Sequence, residues 1–280
     1  MSEIPRFTIE DLFNRYDLEP TLNDLYVEGL FDKEIIERVI SCGNQPFRAI
    51  YEINAIDVPP ILVESHSLTD GNKQRVITLA RELAKLKTQC HYKCLVDRDL
   101  DHWFGPLEHT TRLVWTEHTS IELYFLSESF LKDVILITAK CEIPHWDKYF
   151  ESFIATLKML FAMRLADRSL CYGLRWIDTD KSLESVGSEI IFDYEGYLAK
   201  TLILNGKGNN KSTYQNELSR WSGLLLPDPR LCIRGHDLIS LISWSVKSFK
   251  GQRSFASSAA IERLFVLLAD RAPEILRSIT

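Results

Sequence analysis

Three carboxylates stand where a chain could turn them to phosphate chemistry: Glu28, Asp97 and Asp99. Glu28 closes the apolar run Leu22–Val27 and precedes Gly29; Asp97-Arg98-Asp99 closes a second run, Tyr92–Val96. Carboxylates brought together repel each other, and a cation that joins them removes that cost. An all-oxygen donor set suits Mg²⁺ or Mn²⁺. A divalent ion held this way neutralises phosphate oxygens, activates a water and steadies the leaving oxygen. Asp32, one helical turn after Glu28, could add a ligand for a second metal; Asp101 and Glu122 are further candidates. Positions two apart in an extended segment point the same way, so Asp97 and Asp99 are expected to face one site. Arg98 between them is expected to point away, and Gly29 to permit a sharp turn where a side chain would crowd the site. Acids at strand ends are often just solvated. Two such motifs, about 70 residues apart with a βα unit between them, favour the metal reading.

The elements that must position these acids alternate. Leu22–Val27 reads as a strand, and Asp32–Ser41 as a helix from Ile35, Ile36, Val39 and Ile40. Arg48–Val58 reads as a second strand, stopped by Pro59-Pro60. Asp70-Gly71-Asn72 opens a helix carrying Val76, Leu79, Ala80, Leu83 and Leu86. Tyr92–Val96 and Arg112–Trp115 are the third and fourth strands, and a helix is expected from about Ser120. Strands alternating with helices imply an α/β fold: a mostly parallel sheet flanked by helices. Ligands of such sheets sit beyond the carboxyl ends of the strands, where Glu28, Asp97 and Asp99 lie. From Cys141 onward the reading turns mainly helical: Trp146–Leu165, Asp237–Ser248 and Ile261–Ile279, with Gly206–Ser212 a polar loop. The expected organisation is therefore an α/β domain over 1–140 and a mainly helical C-terminal subdomain over 141–280.

The acidic motifs, LYVEGLFD at Leu25–Asp32 and CLVDRDLD at Cys94–Asp101, resemble the Toprim signature of a Glu-Gly after one strand and an Asp-x-Asp after a later one. With Thr119-Ser120-Ile121-Glu122 and Gly235-His236-Asp237, the chain is similar to a narrower bacterial group, the AriB-type Toprim effectors of PARIS anti-phage systems. The resemblance implies a metal-dependent nuclease with Asp97 and Asp99 as principal ligands and Glu28 as bridging ligand or general acid/base. It also implies a toxic effector that cuts RNA, transfer RNA (tRNA) in particular. Such an effector acts as a homodimer when active and is held by a separate ABC-type ATPase subunit (AriA-like) until a phage trigger releases it. Asp70-Gly71-Asn72-Lys73 is no P-loop, so any ATPase is expected on another chain. Two alternatives stand beside this reading: a non-catalytic Toprim shell that binds an ATPase, and a DNA nuclease.

Other features are weaker. Cys90, His91 and Cys94 lack the C-x₂-C spacing of common zinc sites and alternate along a strand, so both thiols are expected in the core. His102, His109 and His118 could each reach a phosphate or sit as ordinary loop residues. His236-Asp237 could be a site pair, although a helix N-cap by Asp237 is the simpler reading. Between Lys200 and Arg253, nine Lys/Arg oppose three acids, so this segment is +6 and the rest of the −6 chain is −12. Lys207, Lys211, Arg234 and Lys247 are the expected substrate-binding cations, with a scattered solvated face as the alternative. Trp221 and Trp244 could stack on bases or pack in the core. The chain is 45% hydrophobic with six scattered cysteines, and it lacks an apolar stretch long enough for a bilayer or a secretory signal. That composition suits a cytoplasmic protein with reduced thiols and no membrane partner.

Overall fold

A computed structural model describes residues 6–42, 49–88 and 90–279. The chain divides into two compact units, one of residues 1–121 with 265–280 and one of residues 122–264.

The first unit opens with the two-residue strand β1 (Phe7–Thr8) and helix α1 (Ile9–Leu18). Thr8 and Asp11 cap α1 reciprocally, each side chain taking the other's backbone N–H. Strand β2 (Asn23–Val27) follows, then α2 (Leu30–Cys42), β3 (Ala49–Glu52) and β4 (Ile56–Asp57). Next come α3 (Pro60–Ser65), α4 (Asn72–Leu83), β5 (His91–Val96) and β6 (Leu113–Trp115). The main sheet has the order β3-β2-β5-β6 and is parallel throughout. Tyr26 pairs with Cys94 and Val96 with Trp115, so β2 and β5 are central neighbours in register.

Alternation along these strands buries both faces. Tyr26, Tyr92, Cys94 and Val96 join Leu12 and Tyr16 of α1 and Val76, Leu79 and Leu83 of α4 in one core. The intervening Leu25, Val27 and Leu95 are buried too and belong to the opposite face.

The sequence expects one strand over Arg48–Val58. Arg48 lies outside the described residues, and the remainder is broken. A 3₁₀ turn, Ile53–Ala55, separates β3 from β4, and β4 leaves the main sheet to pair with β1. The Arg75 guanidinium holds this break by donating to the carbonyls of Ile53 and Ile56 at 3.1 and 2.9 Å.

The boundary between the units falls in the 3₁₀ segment Ile121–Phe125, which stands in place of the α-helix expected near Ser120. The second unit continues through α5 (Glu128–Lys132), a π-helical stretch (Asp133–Thr138) and the 25-residue α6 (Trp146–Leu170). A hairpin follows, β7 (Leu183–Val186) with β8 (Glu189–Phe192), then α7 (Tyr194–Leu204), α8 (Lys211–Leu224) and α9 (Gly235–Ser248). Helix α6 is the unit's spine and packs on α8, α9 and β8. Its Tyr149, Phe153, Leu157 and Phe161 are fully buried.

The C-terminal region departs from the expected continuous helix over Ile261–Ile279. It forms α10 (Ser258–Leu267), a 3₁₀ turn (Ala269–Arg271) and α11 (Ile275–Ile279). Pro273 has no N–H to continue a helix, which accounts for the interruption. Helix α11 packs on α2, β5 and β6, so residues 265–280 belong with the sheet. The expected cut between 140 and 141 therefore differs from the observed division: the second unit starts at Glu122, and the chain's end returns to the first. No helix among the described residues is long and apolar enough to cross a membrane.

Candidate active site

The parallel sheet dictates where the acids meet. From β2 the chain moves to β3 on one side, and the later strand β5 lies on the other. The strand order thus reverses between β2 and β5, and the crevice beyond their carboxyl ends is where open α/β sheets bind ligands. Glu28 follows the last residue of β2, and Asp97 follows the last residue of β5. The two segments are joined directly: the Asp97 backbone N–H donates to Glu28 Oε1 at 2.8 Å.

Past Val96 the chain leaves the extended conformation. Asp99 has a left-handed backbone, φ 43°, and its N–H donates to the Thr119 carbonyl at 2.7 Å. The expectation that Asp97 and Asp99 face one way because they alternate on a strand is corrected here: the strand ends before them, and a turn sets their directions. The turn is held from beneath. Arg98 N–H donates to Thr116 Oγ1, which itself donates to the His118 carbonyl at 2.7 Å.

Lys73, in the first turn of α4, enters this acidic group. Its ammonium lies 2.5 Å from Asp99 Oδ2 and 3.0 Å from Asp101 Oδ2, and its side chain is 10% exposed. Burial pulls the Lys73 pKa down, but Asp99, Glu28 and Asp101 together outweigh burial and leave it raised. Glu28 shows the opposite balance. Burial raises its carboxyl first; Lys73 and the Asp97 N–H lower it, and Asp99 and Asp101 raise it again, to about 7 from 4.5. A carboxyl that titrates near neutrality can both hold and release a proton in one reaction.

The start of α4 places Lys73. Gly71 precedes the helix at φ 141° and ψ 156°, a region open essentially to glycine alone. An added Cβ would meet only Gln74 Oε1, at 4.0 Å, so the constraint there is conformational rather than steric. Gly71→Ala is expected to cost on the order of 1–3 kcal/mol in urea unfolding. A loss below about 0.5 kcal/mol, the scatter of ordinary surface changes, would show that α4 does not depend on this backbone.

Several sequence expectations resolve differently. The Asp32 carboxylate accepts the Gly29 N–H at 3.0 Å at the start of α2. Gly29 is not at positive φ, and a Cβ there would make only ordinary contact, 3.8 Å from Asp32 Oδ2. The crowding argument for this glycine fails. Glu122 opens the second unit, buried, with Oε2 lacking a hydrogen-bond partner. Asp101, only a further candidate from sequence, is a direct partner of Lys73. Lys73 itself was missed. Its signal was a lysine directly after Asp70-Gly71-Asn72, which sequence reading weighed only as a failed P-loop.

The expected substrate-binding cations of the second unit have local partners or helix-end positions. Arg234 and Lys247 stand at opposite ends of α9, roughly 20 Å apart at 1.5 Å per residue. Arg234 lies 3.9 Å from Asp237, and Lys247 lies 3.3 Å from Asp180. Lys207 sits over the Tyr172 ring at 5.0 Å, and Lys211 is the first residue of α8. Asp237 makes no side-chain cap, because the α9 N-cap is Arg234. His109 and His236 are exposed. Trp221 and Trp244 are buried, as are Cys90 and Cys94, so core packing describes all four.

The donors around Lys73 are all carboxylate oxygens, which fit a hard divalent cation in type and in place. As the side chains stand, no three or more His, Cys, Asp or Glu among the described residues are close enough to hold one. The cation among these carboxylates is the Lys73 ammonium. No protein-family model matches the chain, and no curated protein matches it.

Proposed function

We propose that Glu28, Asp97, Asp99 and Asp101 form the centre of a metal-dependent nuclease that hydrolyses nucleic-acid phosphodiester bonds. One observation carries this reading: acids from two separate motifs meet at the switch point of a parallel sheet, around a buried positive charge. Asp97, Asp99 and Asp101 would hold Mg²⁺ or Mn²⁺, with Glu28 beside them. When bound, the ion supplies charge for the phosphate oxygens and lowers the pKa of a water. The Asp97 N–H fixes Glu28 Oε1, and Glu28, with its carboxyl near 7, takes or returns the proton of the attacking or leaving oxygen.

RNA as substrate, tRNA in particular, rests on the Toprim-like motifs. So do the antiviral role, the ABC-type ATPase partner and the active homodimer. The same motifs support a Toprim assignment for the first unit; the order β3-β2-β5-β6 adds an α/β parallel sheet with acids at its switch point.

Wild-type and Glu28→Gln proteins, incubated with total RNA and with plasmid DNA, test this. Each is run with Mg²⁺, with Mn²⁺ and with chelator. Metal-dependent cutting, lost in Glu28→Gln, is the expected result, and the nucleic acid consumed names the substrate class.

A second reading has its own observation: Lys73 already pairs with both Asp99 and Asp101. A Toprim-like shell that only binds an ATPase would need no more. It predicts unchanged function in Asp97→Asn/Asp99→Asn and no response to Mg²⁺, whereas the nuclease reading predicts loss of both.

A further inference from the structure

A lysine inside a group of carboxylates needs a reason. Lys73 carries one of the longest and most flexible side chains, yet nine-tenths of it is removed from solvent. Three features place it. Gly71 sets the start of α4 two residues earlier. The ammonium lies 5.9 Å from the Trp115 ring, a favourable surface for a cation. Asp99 and Asp101 then take it, at 2.5 and 3.0 Å.

Asp99 and Asp101 share this one cation, although they lie on the turn after β5 and Lys73 comes from a helix. An ammonium is a compact point charge on a flexible four-carbon stem, and it can withdraw without moving the backbone. A divalent ion bound to the same Asp99 oxygens would lie within a few ångström of that ammonium, where like charges repel strongly in a partly buried setting.

We infer that Lys73 is the built-in counter-cation of the acidic site, and that its ammonium and a divalent metal ion are alternative occupants of Asp99. The inference rests on the reading of Glu28, Asp97, Asp99 and Asp101 as a metal-holding group. It assigns Lys73 a regulatory task within that site. The ammonium keeps the metal-free cluster neutral enough to stay folded, and it raises the metal concentration at which the site fills. It also accounts for why the described carboxylates are not gathered as an ion would gather them: two are turned toward a lysine.

Mn²⁺ binding, measured by calorimetry, and the Mn²⁺-dependent rise in Tm test this without any substrate. The proteins are wild type, Lys73→Met, Lys73→Met/Asp99→Asn, and Lys73→Gln in case the methionine variant does not fold. Methionine and glutamine keep much of the stem and remove the charge. Removing a repulsive charge at this range is expected to tighten Mn²⁺ binding about tenfold or more. The metal-free Lys73→Met protein should melt below wild type, Mn²⁺ should raise its Tm more than it raises that of wild type, and Asp99→Asn should remove the gain. If wild type binds Mn²⁺ and both charge-removing variants bind it equally or more weakly, the inference is overturned while the metal reading stands. If no protein binds Mn²⁺, the metal reading fails and the inference falls with it.

Discussion

Glu28→Gln is expected to reduce nucleic-acid cutting by roughly 10²–10⁴-fold, the range of a lost general acid/base, while making the metal-free protein more stable at neutral pH. The two effects have one cause. Glu28 lies against the Asp97 N–H, half-buried and in the field of Asp99 and Asp101, and its carboxyl is lifted from 4.5 to about 7. A raised folded pKa means that the native state keeps a proton between pH 4.5 and 7 that the unfolded chain has lost. Stability from this group is therefore fully present below 4.5 and declines as pH rises through the folded value. The shift corresponds to a loss on the order of 3 kcal/mol by pH 8.

Glutamine has no charge to bury and keeps an oxygen for the Asp97 N–H. In chelator, urea unfolding of wild type should thus weaken from pH 4.5 to 8 relative to Glu28→Gln, with the two converging at the acid end. Parallel pH profiles would show that Glu28 is solvated rather than strained. A Glu28→Gln protein that still cuts would remove Glu28 from the chemistry altogether. Stability forgone at a reactive group is a common cost of function.

Asp24→Ala is expected to do the reverse, costing about 3–5 kcal/mol of stability, the usual penalty for breaking a buried charged pair. Asp24 lies near the start of β2, four residues before Glu28, which follows the strand's other end, and is fully buried. Burial raises its carboxyl pKa, and Tyr16 and Arg15 oppose that rise. The Tyr16 hydroxyl donates to Asp24 Oδ2 at 2.9 Å and lies 2.7 Å from the Tyr26 hydroxyl. Arg15 reaches Asp24 Oδ1 at 3.4 Å and Tyr51 at 2.6 Å.

Alanine would leave two buried hydroxyls sharing one another alone and the Arg15 guanidinium short of its anion. Asp24→Asn keeps an acceptor for Tyr16 and should cost less than Asp24→Ala. Chemical unfolding of both variants orders them. An Asp24→Ala loss under about 1 kcal/mol, the net worth of an ordinary hydrogen bond, would mean that water or a neighbour fills the gap. The carboxyl within β2 and the one just past its end thus differ in kind: Asp24 is held by Tyr16 and Arg15, and Glu28 is raised by burial and by the neighbouring Asp99 and Asp101.

Much of this is legible in the sequence. Apolar runs ending in Glu28-Gly29 and Asp97-Arg98-Asp99 named the strand ends because burial on both faces of a parallel strand writes a continuous apolar run into the sequence. Helical spacing placed the helices that became α2, α4, α6 and α9, because each must lay one stripe against a core. Those patterns are local, and the sequence carries them whatever the chain does elsewhere.

What the tertiary structure decided is which local pieces become neighbours. Only the sheet order β3-β2-β5-β6 puts Glu28 beside Asp97. Only the turn after Val96, with Asp99 left-handed, aims Asp99 at α4 instead of along a strand. Lys73 was invisible as a site residue because a lysine's role depends on the anions across from it, here 26 and 28 residues away. The break at Ile53–Ala55 rests on an arginine from another helix, and the return of α11 to the sheet on a proline followed by a long-range contact. Side-chain periodicity records what a segment must bury; register, turn conformation and charge pairing are set by partners distant in sequence.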